Sequence, residues 1–347
     1  MVVVELELRK MQVVGRASFS VTLPPDWVKE NKLNPSDQIS ITREDDGSLR
    51  LFPGITRDEE KEIKITIDAD RCKDPGIIMR LIIGGYSRGC DSIEIVSKHT
   101  IGENHRREIN DATKNLMGMG IVESTSNRVM LQSVIDPSKF PVRPLLKRFY
   151  EIAFSMVQDA LQALNDKNTS LATSVIQREN EVDKIYWLMG RQIVTAMRNR
   201  QVLKKIGLAG VPDVMLHTVV FPRIKAVADY AVDIADNQLR SGENGASGAD
   251  LQKIIRLGNL AHKIFSNACE AFFKVDSILA NNAVESFEPL DKIKDELLMD
   301  LCVRVKDSHL AMHLSNIIRD LRGIAAYGKF IAEVTIDNST SEKINLP

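Results

Sequence analysis

Three changes of pattern along 347 residues predict a multidomain α+β chain. Short alternating polar and apolar runs, broken by Pro and Gly, fill residues 1–54 and read as strands. Strand-like and helix-like runs then alternate over 58–136, the order of a small α/β domain. Beyond Pro141 and Pro144, apolar residues recur at helical spacing to about Asp337, which predicts two bundles over 143–240 and 249–337. Aromatic residues make up 5% of the chain, a composition that suits helical bundles better than large sheets.

In the first segment, strand-like runs flank Leu23-Pro24-Pro25, and the two prolines stop the second of them. Asp26 can cap a short helix from Trp27 to Lys32. Ile39 and Ile41 alternate with polar neighbours, and Asp45-Asp46-Gly47 before Leu49-Arg50-Leu51-Phe52 is a hairpin signal. About 45 residues bury too little to stand alone, so this unit must pair with a second copy or pack on the rest of the chain. Arg9, Lys10 and Arg16 are its cations between Leu8 and Pro25, where no acid occurs. Doubled by two-fold symmetry, they would make a positive face suited to phosphate backbones.

The order basic-x-hydrophobic, Gly15-x-x-Ser18, Val21-Thr22-Leu23-Pro24, Trp27-Val28, Leu33-x-x-x-Asp37-x-Ile39 resembles the SpoVT/AbrB DNA-binding domain, in the version fused to archaeal PhoU-like phosphate-uptake regulators. The resemblance implies a swapped-hairpin homodimer that lays Arg9, Lys10 and Arg16 on DNA. This chain carries Ser36-Asp37 where the family usually has Gly-Asp, and Arg16 follows Gly15.

The middle segment opens with a strand at Ile63-Lys64-Ile65-Thr66-Ile67, followed by a helix started near Asp74-Pro75-Gly76 and stopped at Gly89. Ser92 to Val96 is a strand and Asn104 to Leu116 a helix. Ile121-Val122-Glu123 and Val129-Met130-Leu131 close the segment as a strand pair. Gly84-Gly85-x-x-x-Gly89 ends a helix and precedes a strand, the reverse of a phosphate loop, so these glycines are read as packing and capping positions.

Six helices are expected in the last segment. The first carries Leu145, Phe149, Ile152, Met156, Ala160 and Leu164; the second is capped by Ser170 and runs to about Asn199; the third spans Val214 to about Arg240. A flexible linker from Ser241 to Gly248 follows, then helices from Asp250 to about Ala280, Asn282 to about Lys306 and Ser308 to about Glu333, with a frayed tail from Thr335. The segment repeats internally. The twelve residues from Ile224 align without a gap with those from Leu321, and Val182-Asp183-Lys184-Ile185 echoes Leu290-Asp291-Lys292-Ile293. Ala228, Ala231, Ala325 and Gly328 would allow close helix approach.

Two three-helix bundles with these signatures resemble PhoU. The resemblance implies negative regulation of phosphate uptake and phosphate-responsive transcription, through a phosphate transporter or sensor protein. It also implies, in metal-binding members, Glu/Asp-x-x-x-Asp pairs on the bundle faces, since carboxylates at i and i+4 share a face and can share a divalent or ferric ion. Glu179 and Asp183 fit on the second helix. The third helix offers Asp229 with Lys225 in place of an acid, and the sixth has Arg322-x-x-x-Ala326. The candidate metal ligands are therefore Glu179, Asp183 and Asp229, with Lys225 as a competing fixed charge.

A formal net charge of -1 means that any nucleic-acid face must be local. Cys72, Cys90, Cys269 and Cys302 lack CxxC spacing, which argues against a zinc ribbon or disulfide scaffold and suits a reducing cytoplasm. The alternating, acid-bearing start is unlike a signal peptide, and no run approaches a membrane span, so membrane insertion is not expected. His309 and His313 share a helix face without a partner cluster, and Arg106-Arg107 and Lys204-Lys205 read as solvated pairs. No nucleophile elbow, Walker loop or HExxH is present, so an enzyme is not expected. The leading expectation is a cytoplasmic DNA-binding regulator of phosphate homeostasis. The alternative is a signalling adaptor whose N-terminal unit serves only for dimerisation.

Overall fold

Two separate hairpins make up the first part of the chain. β1 (Gln12–Val14) pairs antiparallel with β2 (Ser18–Ser20), with Val13 opposite Phe19. Gly15, at φ 69°, takes the left-handed conformation that the tight turn between them requires. α1 (Pro25–Glu30) follows; Pro24 occupies the capping position and no side chain caps it, so the helix starts earlier than the Asp26 signal predicts. β3 (Ile39–Arg43) and β4 (Leu49–Pro53) form the second hairpin. Between α1 and β3, Ser36 adopts φ 79°, and the Asp37 carboxylate accepts from the Asn34 amide at 2.6 Å. The turn keeps the geometry a glycine would favour although serine occupies it.

The computed structural model describes residues 7–43, 47–54, 62–242 and 248–339. The expected turn at Asp45-Asp46, the connector before Glu62, the linker centred on Gly245 and the end of the tail lie outside the described residues. The chain divides into two compact units, one ending at Lys61 and the other starting at Glu62.

The second unit begins with a mixed sheet. β5 (Lys64–Asp68), β6 (Ser92–Val96), β7 (Met119–Ser124) and β8 (Arg128–Ser133) lie in the order β5-β6-β8-β7. β5 and β6 are parallel because α2 (Ile77–Ser87) crosses between them; the other pairings are antiparallel. Ile67, Ile93, Ile95, Val129 and Leu131 are buried in one core with Ile78, Ile82 and Tyr86 of α2 and Ile109 of α3 (Glu103–Asn115). A Cβ on Gly85 would lie 2.5 Å from Ile65 Cδ1, and Gly89 has φ 83°, so the glycines serve packing and helix termination. The N-terminus of α2 is satisfied from a distance: the Glu108 carboxylate accepts from the amides of Gly76 at 2.8 Å and Ile78 at 3.1 Å.

The helical part comprises α4 (Val142–Asp166), α5 (Thr169–Gln177), α6 (Glu179–Arg198), α7 (Arg200–Lys205), α8 (Val211–Arg240), α9 (Gly248–Lys274), α10 (Ser277–Glu285), α11 (Phe287–Arg304) and α12 (Ser308–Ser339). The expected second helix is thus broken at Arg178 and capped by Asn168, whose side chain accepts from the Leu171 amide, rather than by Ser170. The same break recurs at Ser286. Each corner uses a left-handed residue, Lys167 or Val275, followed by a capping Asn168 or Asp276. α12 continues to Ser339, beyond the expected end, because Thr335 is still buried against the core.

Both bundles share one hydrophobic core. α4 meets α9 and α8 meets α12. Tyr230 and Tyr327, equivalent positions of the repeat, stack at 5.8 Å between ring centroids. Ala228, Ala231 and Ala325 are buried, and a Cβ on Gly328 would stand 2.9 Å from the Phe265 backbone. The α/β layer is tied to the first bundle through α6. Arg191, 2% exposed, donates to the carbonyls of Cys90 at 2.6 Å and Tyr86 at 3.2 Å and pairs with Asp91 at 2.9 Å. Beside it, Gln192 donates to the Phe140 and Pro137 carbonyls.

One buried carboxylate is only half compensated: Arg319 donates to Asp320 Oδ1 at 3.3 Å. Asp320 on α12 is fully buried, and its Oδ2 has no hydrogen-bond partner among the described residues. Desolvation pushes its pKa from 3.8 to about 6, against the opposing pull of Arg319.

Two predictions follow from this packing. Gly328→Ala should lower stability by about 1–3 kcal/mol despite the better helix propensity of Ala, because backbone cannot rotate away from the new methyl. Gly190→Ala, where a Cβ meets nothing within 4 Å, should raise stability by about 0.5–1 kcal/mol. Urea unfolding of both variants checks the pair. The raised pKa of Asp320 means that its contribution is fully present below the unfolded value of 3.8 and is lost as pH rises through about 6. That displacement corresponds to roughly 3 kcal/mol. Asp320→Asn should therefore gain stability relative to the parent at pH 7.5 but not at pH 4; equal differences at both values would show that the group titrates normally.

Candidate functional site

α6 and α8 bring the predicted acids together. Glu179 begins α6 and Asp183 lies one turn on, so both face α8; Lys225 and Asp229 make the matching i, i+4 pair there. Lys225 Nζ lies 3.0 Å from Asp183 Oδ1 and also donates to Asp229. Its side chain is only 15% exposed. Burial works against its charge, but the bonds to Asp229 and Asp183 outweigh that, and its pKa is raised. Burial pushes Glu179 upward; Lys225 pulls it back, and the charges of Asp183 and Asp229 add to the rise. Asp233, one turn beyond Asp229, is likewise raised, first by burial and then by Asp229. The site is an ammonium ion shared between helices and ringed by carboxylates.

The equivalent place in the second bundle holds a simpler version. Arg322 Nε donates to Asp291 Oδ1 at 2.8 Å, joining α12 to α11. Asp291 is depressed, chiefly by that bond. Phe287 stands where the first bundle has Glu179, and the guanidinium lies 5.3 Å from its ring centre. Ala326 stands where Asp229 does. The repeat of Val182-Asp183 as Leu290-Asp291 was the signal for this pair, although helix six read alone shows no acid beside Arg322.

The candidate ligands Glu179, Asp183 and Asp229 do converge, but not as a divalent or ferric metal requires. Such an ion needs several oxygens directed at one point. Here Lys225 occupies the space between Asp183 and Asp229, and a second cation would be forced against the ammonium. Among the described residues, no three His, Cys, Asp or Glu side chains are grouped to hold an ion. The pair on α12 is structural: His313 is buried and bonds Asn237 at 2.9 Å, with His309 at 3.4 Å.

In the first unit, Lys10 is exposed just before β1, while Arg16 is exposed in the turn at its far end. Arg9 adjoins Lys10 and is bonded to Glu7, an acid immediately before the acid-free stretch from Leu8 to Pro25. No described residue of this unit is buried. Met11, Val13, Phe19, Val21, Ile41 and Leu49 are all more than half exposed. Among the described residues, no helix is long and apolar enough to cross a membrane.

The "Antidote-toxin recognition MazE, bacterial antitoxin" model matches residues 12–59, the two hairpins and α1. The chain is similar in structure to PhoU from Pseudomonas aeruginosa, with a TM-score of 0.52 and 20% identity over 56% of this chain and 93% of that one. It is also similar to the phosphate transport system regulatory protein PhoU from Streptococcus pneumoniae, with a TM-score of 0.50 and 18% identity over 58% of this chain and 95% of that one. At such identities the likeness speaks to the fold alone. No curated protein matches the chain. The PhoU domain model matches residues 146–237 and 254–335, one stretch in each bundle and together half of the sequence, and the chain therefore belongs to the PhoU family.

Proposed function

We propose that this PhoU-family chain is a DNA-binding transcriptional regulator of phosphate uptake, acting negatively, and not an enzyme. The observation that carries the reading is the first unit: it matches an antitoxin-type model, exposes Lys10 and Arg16, and buries none of its described residues. A layer whose Val13, Phe19 and Ile41 face solvent needs a partner surface. A second copy of the same segment would supply it, making a homodimer with two sets of Arg9, Lys10 and Arg16. These cations would contact phosphates and set affinity more than sequence preference. The helical half would report phosphate status through a transporter or sensor protein, and DNA binding would put the protein in the cytoplasm with the chromosome.

A second reading, an adaptor whose first unit only dimerises, is favoured by the extent of the family match. Both bundles are covered, and one neighbour of similar fold is described as a phosphate transport system regulator. DNA binding separates the two readings.

Six phosphate contacts in a dimer correspond to a salt slope of about -5 in log K against log salt. The protein should sediment as a dimer and bind its promoter DNA with a slope of that order. Arg9→Ala/Lys10→Ala/Arg16→Ala should remain dimeric while losing most of that affinity, and Glu7→Gln, which frees Arg9, should strengthen it. Gel shifts at two salt concentrations check each. Unchanged binding by the triple variant would refute the assigned face, and no binding of promoter DNA by the wild type would leave the adaptor reading in its place.

A further inference from the structure

The repeat places the same kind of ion pair at the same place twice. In the first bundle Lys225 of α8 reaches Asp183 of α6 at 3.0 Å. In the second, Arg322 of α12 reaches Asp291 of α11 at 2.8 Å. Asp183 and Asp291 occupy equivalent positions in their helices, as do Lys225 and Arg322, which each follow an apolar residue and precede the stacked tyrosines by five positions. Two unrelated surface salt bridges would not be expected to keep this register.

The surroundings differ in a way that follows the cation. Compact, strongly hydrated ammonium in the first bundle is met by the two carboxylates Asp183 and Asp229, with Glu179 close enough to feel its charge. Broad, weakly hydrated guanidinium in the second bundle is met by one carboxylate at its edge and by the Phe287 ring. Lys294 adds a further charge on the α11 side, 3.3 Å from Asp291 and 2.6 Å from Asp295. Each cation is matched to the groups that remain.

We propose that each bundle carries its interhelical counter-ion covalently, as Lys225 and as Arg322, in the position where a bound metal would otherwise bridge the two helices. Both sites exclude metal ions, and the stability of the bundles does not depend on metal supply. In the first site Asp183 and Asp229 both meet Lys225, and Glu179 lies near enough to feel its charge, so replacing that one side chain would leave three carboxylates around the vacated position. This inference goes beyond the DNA-binding reading and does not rest on it.

The test uses the full-length protein, stripped with EDTA and then equilibrated with Mn²⁺, with uptake followed by equilibrium dialysis and Tm by calorimetry. Wild type should take up no stoichiometric Mn²⁺ at Asp183, and neither EDTA nor Mn²⁺ should move its Tm. Lys225→Glu should unfold at a lower temperature without metal, take up one Mn²⁺ per chain at least about tenfold more tightly than wild type, and recover Tm when it does. Lys225→Met, which adds no charge, should show the same gain in weaker form and keeps the test open if Lys225→Glu does not fold. Stoichiometric Mn²⁺ uptake by the wild type that Asp183→Asn abolishes would overturn the proposal. So would folded Lys225 variants that bind no more Mn²⁺ than the wild type.

Discussion

A single buried guanidinium sets the geometry of the larger unit. Arg191 leaves the bundle from α6 and spends its hydrogen bonds on two carbonyls and a carboxylate of the α/β layer, with the Tyr86 ring 5.1 Å from its centre. A charge taken out of water needs such partners, and they hold it only where α6 meets the end of α2 and the start of β6. α6 is therefore fixed in both rotation and depth. Because Asp183 lies about 12 Å along the same helix from Arg191, the position of the α/β layer and that of the Lys225 site are determined by one rod.

α6 thus carries the pairing of Asp183 with Lys225 on one half and is clamped by Arg191 and Gln192 on the other. The two bundles are likewise joined by contacts that cannot slide freely. Gly258 and Gly323 admit Leu161 and the Tyr230 ring so closely that a methyl group would not fit. The first unit is built in the opposite way. Its strands hold Val13, Phe19, Ile41 and Leu49 more than half exposed, and none of its described residues is buried.

Much of this was legible from residue order. The hairpins, the alternating strands and helices of the α/β layer and the tandem bundles each follow from a periodicity that any neighbouring structure would preserve, and the gapless repeat around Tyr230 and Tyr327 marked two equivalent helices, whose facing only the structure shows. The break at Arg178 was not legible, because the residue keeps helical backbone angles and no Pro or Gly marks it, whereas Pro289 in the first turn of α11 does mark the break at Ser286. Asn168 was passed over for Ser170 because either residue can cap, and the choice falls to the turn left by Lys167 at φ 51°. Glu7, which pairs with Arg9, lies one residue before the acid-free stretch from Leu8 to Pro25, so the charge count of that stretch does not include it.

At the site, sequence alone determined which charges were available: acids one turn apart on α6, a lysine where α8 would carry another acid, an arginine at the same place in the repeat. Only the tertiary structure decided what those charges do. Spacing along one helix says which side chains share a face, but whether that face meets a metal, water or a neighbouring ammonium depends on the distance and rotation of the next helix. Those are set by Arg191, by the small residues between helices and by the shared core, none of which is local to the acids.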